Sequence, residues 1–225
     1  MKIQFLGHAA FALEHDGKTV LVDPFLTGNP KAAASADDVA ADAIFLTHGH
    51  GDHIGDTVDI AKRTGATVVA IVELANELGE SGVADVKDPN IGGTVDLGWV
   101  SVRLTPAWHT STTPKGTVNT PAGLVVEMGG KRIYFAGDTA LFSDLALPAK
   151  RGHIDLAVIP IGGHYTMDRF DAVVAAELIK ADQVIPCHYD TFPPIETDAQ
   201  AFKADVQNAG FAEVIVLDPG ASHEL

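Results

Sequence analysis

The chain has a single cysteine, Cys187, so no disulfide can form within it, and a reducing, cytoplasmic setting is expected. Basic residues are also scarce: 15 Lys and Arg stand against 30 Asp and Glu, a formal charge of −15. A field of that sign repels a nucleic-acid backbone and anionic membranes at long range, so neither is an expected partner. Small anionic substrates stay open, because a bound metal ion dominates the potential around it. No long apolar run is present, and Met1-Lys2-Ile3-Gln4-Phe5 leads straight into an expected strand, so no signal peptide or membrane span is expected. The pairs Gly92-Gly93 and Gly129-Gly130 are not followed by Gly-Lys-Ser/Thr, and no dinucleotide fingerprint occurs. There is no Gly-x-Ser-x-Gly elbow to support serine-based hydrolysis. No Pro/Gly-rich linker, charge run or close repeat divides the chain.

What is present suits one compact domain over residues 1–225: 46% of the residues are hydrophobic and only 20% charged, enough to bury a sizeable core. Residues 2–6, 10–14 and 18–22 read as strands, with Asp16-Gly17 turning between the last two and Asp23-Pro24 ending the ladder. A short alanine-rich helix is expected near 36–40 and a strand over 43–47. The spacing of Ile54, Val58 and Ala61 predicts a helix over 54–64 with Gly65 as its stop. A strand over 66–70 and a helix over 71–79 follow. Hairpins are expected for 93–97 with 100–105 and for 123–128 with 132–136, and further strands at 154–158, 183–187 and 213–217. Two late helices complete the pattern. In 168–180, Phe170, Val174 and Leu178 form a stripe read as core, and in 197–208, Thr197 and Gln200 suit a capping box. Hairpins alternating with crossover helices favour two sheets covered by helices over one parallel sheet.

The run Thr47-His48-Gly49-His50-Gly51-Asp52-His53 sets three imidazoles and a carboxylate directly after the apolar stretch Ala43-Ile44-Phe45-Leu46. A strand ending there delivers these side chains to one edge of a sheet, and the two glycines ease the turn that gathers them. Imidazole and carboxylate together suit zinc, manganese or iron. Three further candidates stand where strands end: His109, Asp138 and His188. Two first-row ions could share these five histidines and two aspartates, since a carboxylate can bridge two ions and an imidazole normally serves one.

With these residues in place, the chain resembles the metallo-β-lactamase superfamily along essentially its full length. His48 to His53 is similar to that family's His-x-His-x-Asp-His signature. The resemblance implies an α+β fold, a four-layer αββα sandwich with the site at one edge of the paired sheets. By position it implies that His48, His50 and His109 hold a first ion, that Asp52, His53 and His188 hold a second, and that Asp138 bridges them. Phe5-Leu6-Gly7-His8-Ala9-Ala10-Phe11 and Gly162-Gly163-His164-Tyr165-Thr166-Met167 resemble a branch of small metal-dependent hydrolases that includes proteins similar to the L-ascorbate-6-phosphate lactonase. That branch commonly has an acidic residue where this chain has His164.

The implied activity is hydrolysis of a small ester, lactone or related substrate by a metal-bridging hydroxide on two divalent ions, Zn²⁺ or Mn²⁺. Asp52 would both bind metal and help orient the water or accept its proton. His164 is read as a contact to substrate, a general acid, an added ligand, or a loop imidazole bonded to a carbonyl. His8 is expected to orient a ligand through a hydrogen bond. Tyr165 is placed on the substrate side, and Trp108 and Met167 either line an apolar wall or belong to the core. His15, His153 and His223 read as solvated and Cys187 as a buried core thiol. A phosphodiesterase or nuclease on the same binuclear site remains open, as do a di-iron oxidoreductase and a metal-dependent binding or regulatory protein without turnover. The expected partner is a small molecule, and a homo-oligomer is compatible with the sequence.

Overall fold

Alternation of inward and outward side chains along the strands decides the layering. The computed structural model describes all 225 residues. In chain order its strands are β1 (Lys2–Gly7), β2 (Ala10–His15), β3 (Lys18–Val22), β4 (Ala43–Phe45), β5 (Thr67–Val69), β6 (Val86–Lys87), β7 (Thr94–Asp96), β8 (Val100–Pro106), β9 (Ala122–Met128), β10 (Lys131–Phe135), β11 (Leu156–Pro160), β12 (Gln183–Cys187), β13 (Glu213–Val214) and β14 (Ser222–Glu224). The helices are α1 (Gly51–Ile54), α2 (Thr57–Thr64), α3 (Val72–Glu80), α4 (Leu147–Lys150), α5 (Arg169–Ile179) and α6 (Ala199–Ala209).

The strands form two seven-stranded sheets, ordered β14-β1-β2-β3-β4-β5-β6 and β13-β12-β11-β10-β9-β8-β7. Each is mixed. Hairpins build β1–β3 and β7–β10 antiparallel, while β3–β6 and β10–β13 run parallel through crossovers. Asp16 and Gly17 both take positive φ, 48° and 74°, the backbone a two-residue hairpin needs. In the second sheet Leu124, Val126, Ile133, Phe135, Leu156 and Val158 join the core shared with the first sheet. Their neighbours Val125, Tyr134, Ala157 and Ile159 pack instead with α5 and α6. Alternation thus assigns each face of the strands to its own core. Helices flank both sheets, giving the four-layer α+β sandwich, and no helix is long and apolar enough to cross a membrane.

The local departures have physical causes. The helix expected near 36–40 is a single turn closed by the Ser35 carbonyl, which accepts from Asp38 N and Val39 N at 3.1 and 3.2 Å. Asp42 beyond it is already committed to β3 through Thr19 N, so no second turn forms. The expected 54–64 helix is split at Gly55, which approaches Pro24 and Phe25 so closely that a Cβ would lie 2.5 Å from the Pro24 carbonyl oxygen. After the break, the Asp56 carboxylate accepts from Leu26 N and Thr27 N. Of the stripe expected to pack α5 only Leu178 does so: Phe170 and Val174 are 63% and 42% exposed, and Ala172, Ala175, Ala176 and Ile179 form the buried face. Alanine lets the helix approach the sheet closely, and the Arg169 guanidinium covers the outward Phe170 ring. The cap of α6 is Asp198, which accepts from Gln200 N and Ala201 N, instead of the expected Thr197 box. The 213–217 strand is cut to Glu213–Val214, and β6 and β14 add edges that the sequence pattern did not predict.

Candidate metal centre

The sequence folds locally so that the C-terminal ends of strands from both sheets deliver polar groups to one place. Beyond β4, Thr47 donates from its backbone N and its hydroxyl to the two oxygens of Asp23, at 2.8 and 2.6 Å. With that proton committed, Thr47 Oγ1 is free to accept from His48 Nδ1 at 3.0 Å, which turns His48 Nε2 toward the centre. The same Asp23 accepts from His53 Nδ1 at 2.8 Å, so His53 also presents Nε2 inward. Gly49 is required by crowding, because a Cβ there would meet Asn119 Nδ2 at 2.6 Å and Thr113 Cγ2 at 2.7 Å. Its N–H donates to Ser111 Oγ and Asn119 Oδ1, tying the motif to the 110–120 loop.

From the second sheet, Asp138 follows β10 and His188 follows β12, with His188 at φ 55°. The His188 N–H donates to the His8 carbonyl at 2.8 Å, joining the two sheets at the site. Asp138 Oδ2 then lies 3.1 Å from His188 Nε2, 3.3 Å from His53 Nε2, 3.6 Å from His109 Nε2 and 3.9 Å from His48 Nε2. One carboxylate oxygen therefore faces four imidazoles.

Ligand atoms gather into three sets, each within 4.8 Å: His48, His50 and His109; His48, His53 and Asp138; and Asp52, His53 and His188 with His8. All seven residues expected as ligands are thus brought together. His8 places Nε2 3.1 Å from Asp52 Oδ2, and its Nδ1 lies 2.9 Å from the Thr191 hydroxyl. His164 lies outside these sets, exposed at φ 55° with its ring edge-on to Tyr165. Its loop is nonetheless tied to the Asp138 segment, since Met167 N donates to the Thr139 carbonyl. Trp108 is 68% exposed beside His109, whereas Met167 is buried in the outer core.

The electrostatics favour a cation. Burial alone would raise the Asp138 carboxyl, but His188 and His53 outweigh it and hold it well below the usual carboxylate range. Asp52 is likewise lowered against its burial by His188 and His8. Burial lowers His48, whereas in His188 the Asp138 carboxylate overcomes burial and pushes the imidazole up to about 9. Burial also pushes the Cys187 thiol up, in keeping with a core role. The inner nitrogens of His53 and His188 are buried with no aligned hydrogen bond, although Asp138 Oδ2 lies 3.3 and 3.1 Å from them. Such orphaned nitrogens are costly in a protein interior and are natural ligands to a divalent ion, so the residues fit the metals that the donor set implies.

Asp23, Thr47 and Thr191 escaped the sequence reading. Asp23-Pro24 resembles any strand terminator, and the only available signal was a carboxylate ending the strand beside the one that leads into the histidine run.

Comparison with known proteins agrees with this geometry. Residues 2–188 match the β-lactamase superfamily domain. A UPF0173 metal-dependent hydrolase of Methanopyrus kandleri is 47% identical over 229 residues, covering 100% of both chains. One from Thermus thermophilus is 48% identical over 224 residues, covering 98% of this chain and 97% of that protein. The structure of a metallo hydrolase from Ignicoccus hospitalis superposes with a TM-score of 0.90 at 36% identity, covering 100% of this chain and 98% of that one. These relatives do not single out the ascorbate-6-phosphate lactonase within the wider branch. By shared sequence along its whole length, the chain belongs to the metallo-β-lactamase superfamily, in its UPF0173 group of metal-dependent hydrolases.

Proposed function

We propose that residues 1–225 form one hydrolase domain that cleaves a small ester, lactone or related substrate at a centre for two divalent ions, zinc or manganese. The observation that carries this reading is the position of Asp138, whose single oxygen Oδ2 lies 3.1–3.9 Å from imidazoles of both ligand triads. Five imidazoles among seven ligands favour zinc or manganese over magnesium. Such ions, when bound, supply Lewis acidity that lowers the pKa of water toward about 7 and polarises an electrophilic carbonyl.

The chain's own residues supply the rest. Asp138 holds the two triads in register. Asp52, half-buried and hydrogen-bonded by His8, presents a carboxylate that can take the proton of the attacking water. Attack adds that oxygen to the carbonyl carbon and breaks the bond to the leaving oxygen, which then needs a proton. His164 and Tyr165, exposed on the loop tied to Thr139, are suited to contact the substrate, with His164 donating to the leaving group. The formal charge of −15 weighs against a polymeric nucleic acid.

Elemental analysis after controlled reconstitution should find two ions per chain, and saturation at one ion would overturn the binuclear reading. Asp138→Asn should keep the fold, lose one ion and lose most turnover. A panel of lactones, esters, amides and phosphodiesters should show hydrolysis of a small lactone or ester. His164→Ala should retain both ions and lower kcat/KM by roughly ten- to a thousand-fold, the span from one polar contact to one acid–base group. Cleavage of polymeric nucleic acid alone, at an undiminished rate in His164→Ala, would refute both the substrate class and the role of His164.

A further inference from the structure

On the outer face of the second sheet, away from the metal ligands, Arg103, Arg132, Lys150 and Arg151 line a cavity of about 280 Å³. Strand alternation puts the first two there: Val102, Leu104 and Ile133 belong to the core between the sheets, so their neighbours Arg103 and Arg132 point outward. Lys150 and Arg151 come from the end of α4, whose Leu147 and Pro148 supply an apolar wall. This gathers 4 of only 15 basic residues in a chain with 30 acidic ones.

Three of the four cations are not neutralised locally. Arg103, Lys150 and Arg151 have no carboxylate partner within ion-pair distance, although Asp144 also lines the cavity. Arg132 has Glu127 Oε1 at 3.1 Å from Nε, on the side away from this cavity. Its Nε is buried and not aligned for a hydrogen bond to that carboxylate, and its Nη1 is buried with no hydrogen-bond partner. The Arg132 guanidinium is seated against the α4 exit, where a Cβ on Gly152 would lie 2.5 Å from Nη1. Burial first, and then the charges of Arg151 and Arg132, depress the ionisation of Arg103. Like charges that outnumber their counter-charges cost free energy that a bound anion would recover.

The geometry points to a second binding site here, separate from the metal centre, for the phosphate group of a small organic phosphate. Guanidinium groups offer paired N–H donors that match phosphate oxygens. Three guanidiniums and an ammonium against two carboxylates, Asp144 in the cavity and Glu127 on Arg132, suit a dianion better than a monoanionic carboxylate, and Leu147 with Pro148 suits an apolar body attached to it.

Calorimetric titration of the metal-loaded protein with phenylphosphonate, a dianion that resists hydrolysis, tests the site against inorganic phosphate and benzoate as the two comparison arms. Phenylphosphonate should bind most tightly, inorganic phosphate more weakly for want of the apolar body, and benzoate weakest. In the Arg103→Gln/Arg151→Gln variant the phenylphosphonate affinity should fall at least about ten-fold, with metal content and unfolding temperature unchanged. Arg151→Gln alone, at an exposed position, should lose several-fold and serves if the double variant does not fold. Unchanged affinity in these variants would mean that the anion binds elsewhere, the metals included, and would overturn the proposal, as would benzoate binding as tightly as phenylphosphonate.

Discussion

The two candidate ligand triads differ in how much of their geometry the protein itself holds. In the triad of Asp52, His53 and His188, each member is tied from outside: His53 to Asp23, Asp52 to His8, and the His188 backbone to the His8 carbonyl. His53 and His188 are buried there. In the triad of His48, His50 and His109 only His48 is buried and anchored, through Thr47. His50 and His109 are half-buried, and the one side-chain hydrogen bond of His50 is to His48 itself. One half is therefore organised by the fold, whereas the other has few anchors outside the centre and faces solvent. A fixed half beside an open half suits a centre that must keep its shape while substrate enters from one side.

The largest expected contrast comes from removing one imidazole from each half. His53→Ala leaves Asp23 and Asp138 as buried carboxylates without their shared imidazole, so it should cost about 3–5 kcal/mol of stability and one ion. His50→Ala removes a half-exposed ligand with no anchor outside the centre, so it should lose an ion with little change in stability. Chemical denaturation with parallel metal analysis of both variants checks this. Equal stability losses would break the distinction between a fixed and an open half. Stepwise chelation of the wild type sharpens it further, since the half-exposed triad should release its ion first.

Asp23→Asn probes a single support of the fixed half. Asp23 accepts from three donors: Thr47 N, the Thr47 hydroxyl and His53 Nδ1. An asparagine keeps one acceptor oxygen and sets an N–H₂ group against at least one donor. Either His53 or Thr47 must then reorient, and His53 loses the partner that directs Nε2 inward. Metal affinity should fall about ten- to a hundred-fold, as for other partners that orient a ligand, while the strands remain assembled. Competitive metal titration measures it, and an affinity equal to wild type would mean that burial alone orients His53.

These contrasts track what was legible in the sequence. The His48–His53 run is local, so its clustering of ligand-type side chains could be read without knowing the fold. His109, Asp138 and His188 were legible because polar residues that end apolar strands converge at a sheet edge. Asp23 was not, since its meaning depends on β3 and β4 lying side by side in parallel, a pairing set by tertiary structure. The α5 error has the opposite cause. Hydrophobicity favoured Phe170, Val174 and Leu178, of which only Leu178 packs, whereas close packing favoured the small face of Ala172, Ala175 and Ala176, and shape prevailed. The break at Gly55 depended on the approach of Pro24 and Phe25, distant in sequence and invisible to periodicity.

The smallest expected effect lies far from either triad and separates the stability of the fold from the order of the centre. Asp198 caps α6 by accepting from Gln200 N and Ala201 N, both at 2.9 Å, and touches no metal ligand. Asp198→Ala leaves those two N–H groups to water and should cost about 1 kcal/mol. The helix packs through Phe202 and Val206 against the outer core, so the loss is shared by the whole fold and not directed to one triad. Denaturation should show the drop, while stepwise chelation should release the two ions in the same order and at the same chelator concentrations as in the wild type. A changed order would mean that general loosening, and not the local anchors Asp23 and His8, sets the difference between the two halves.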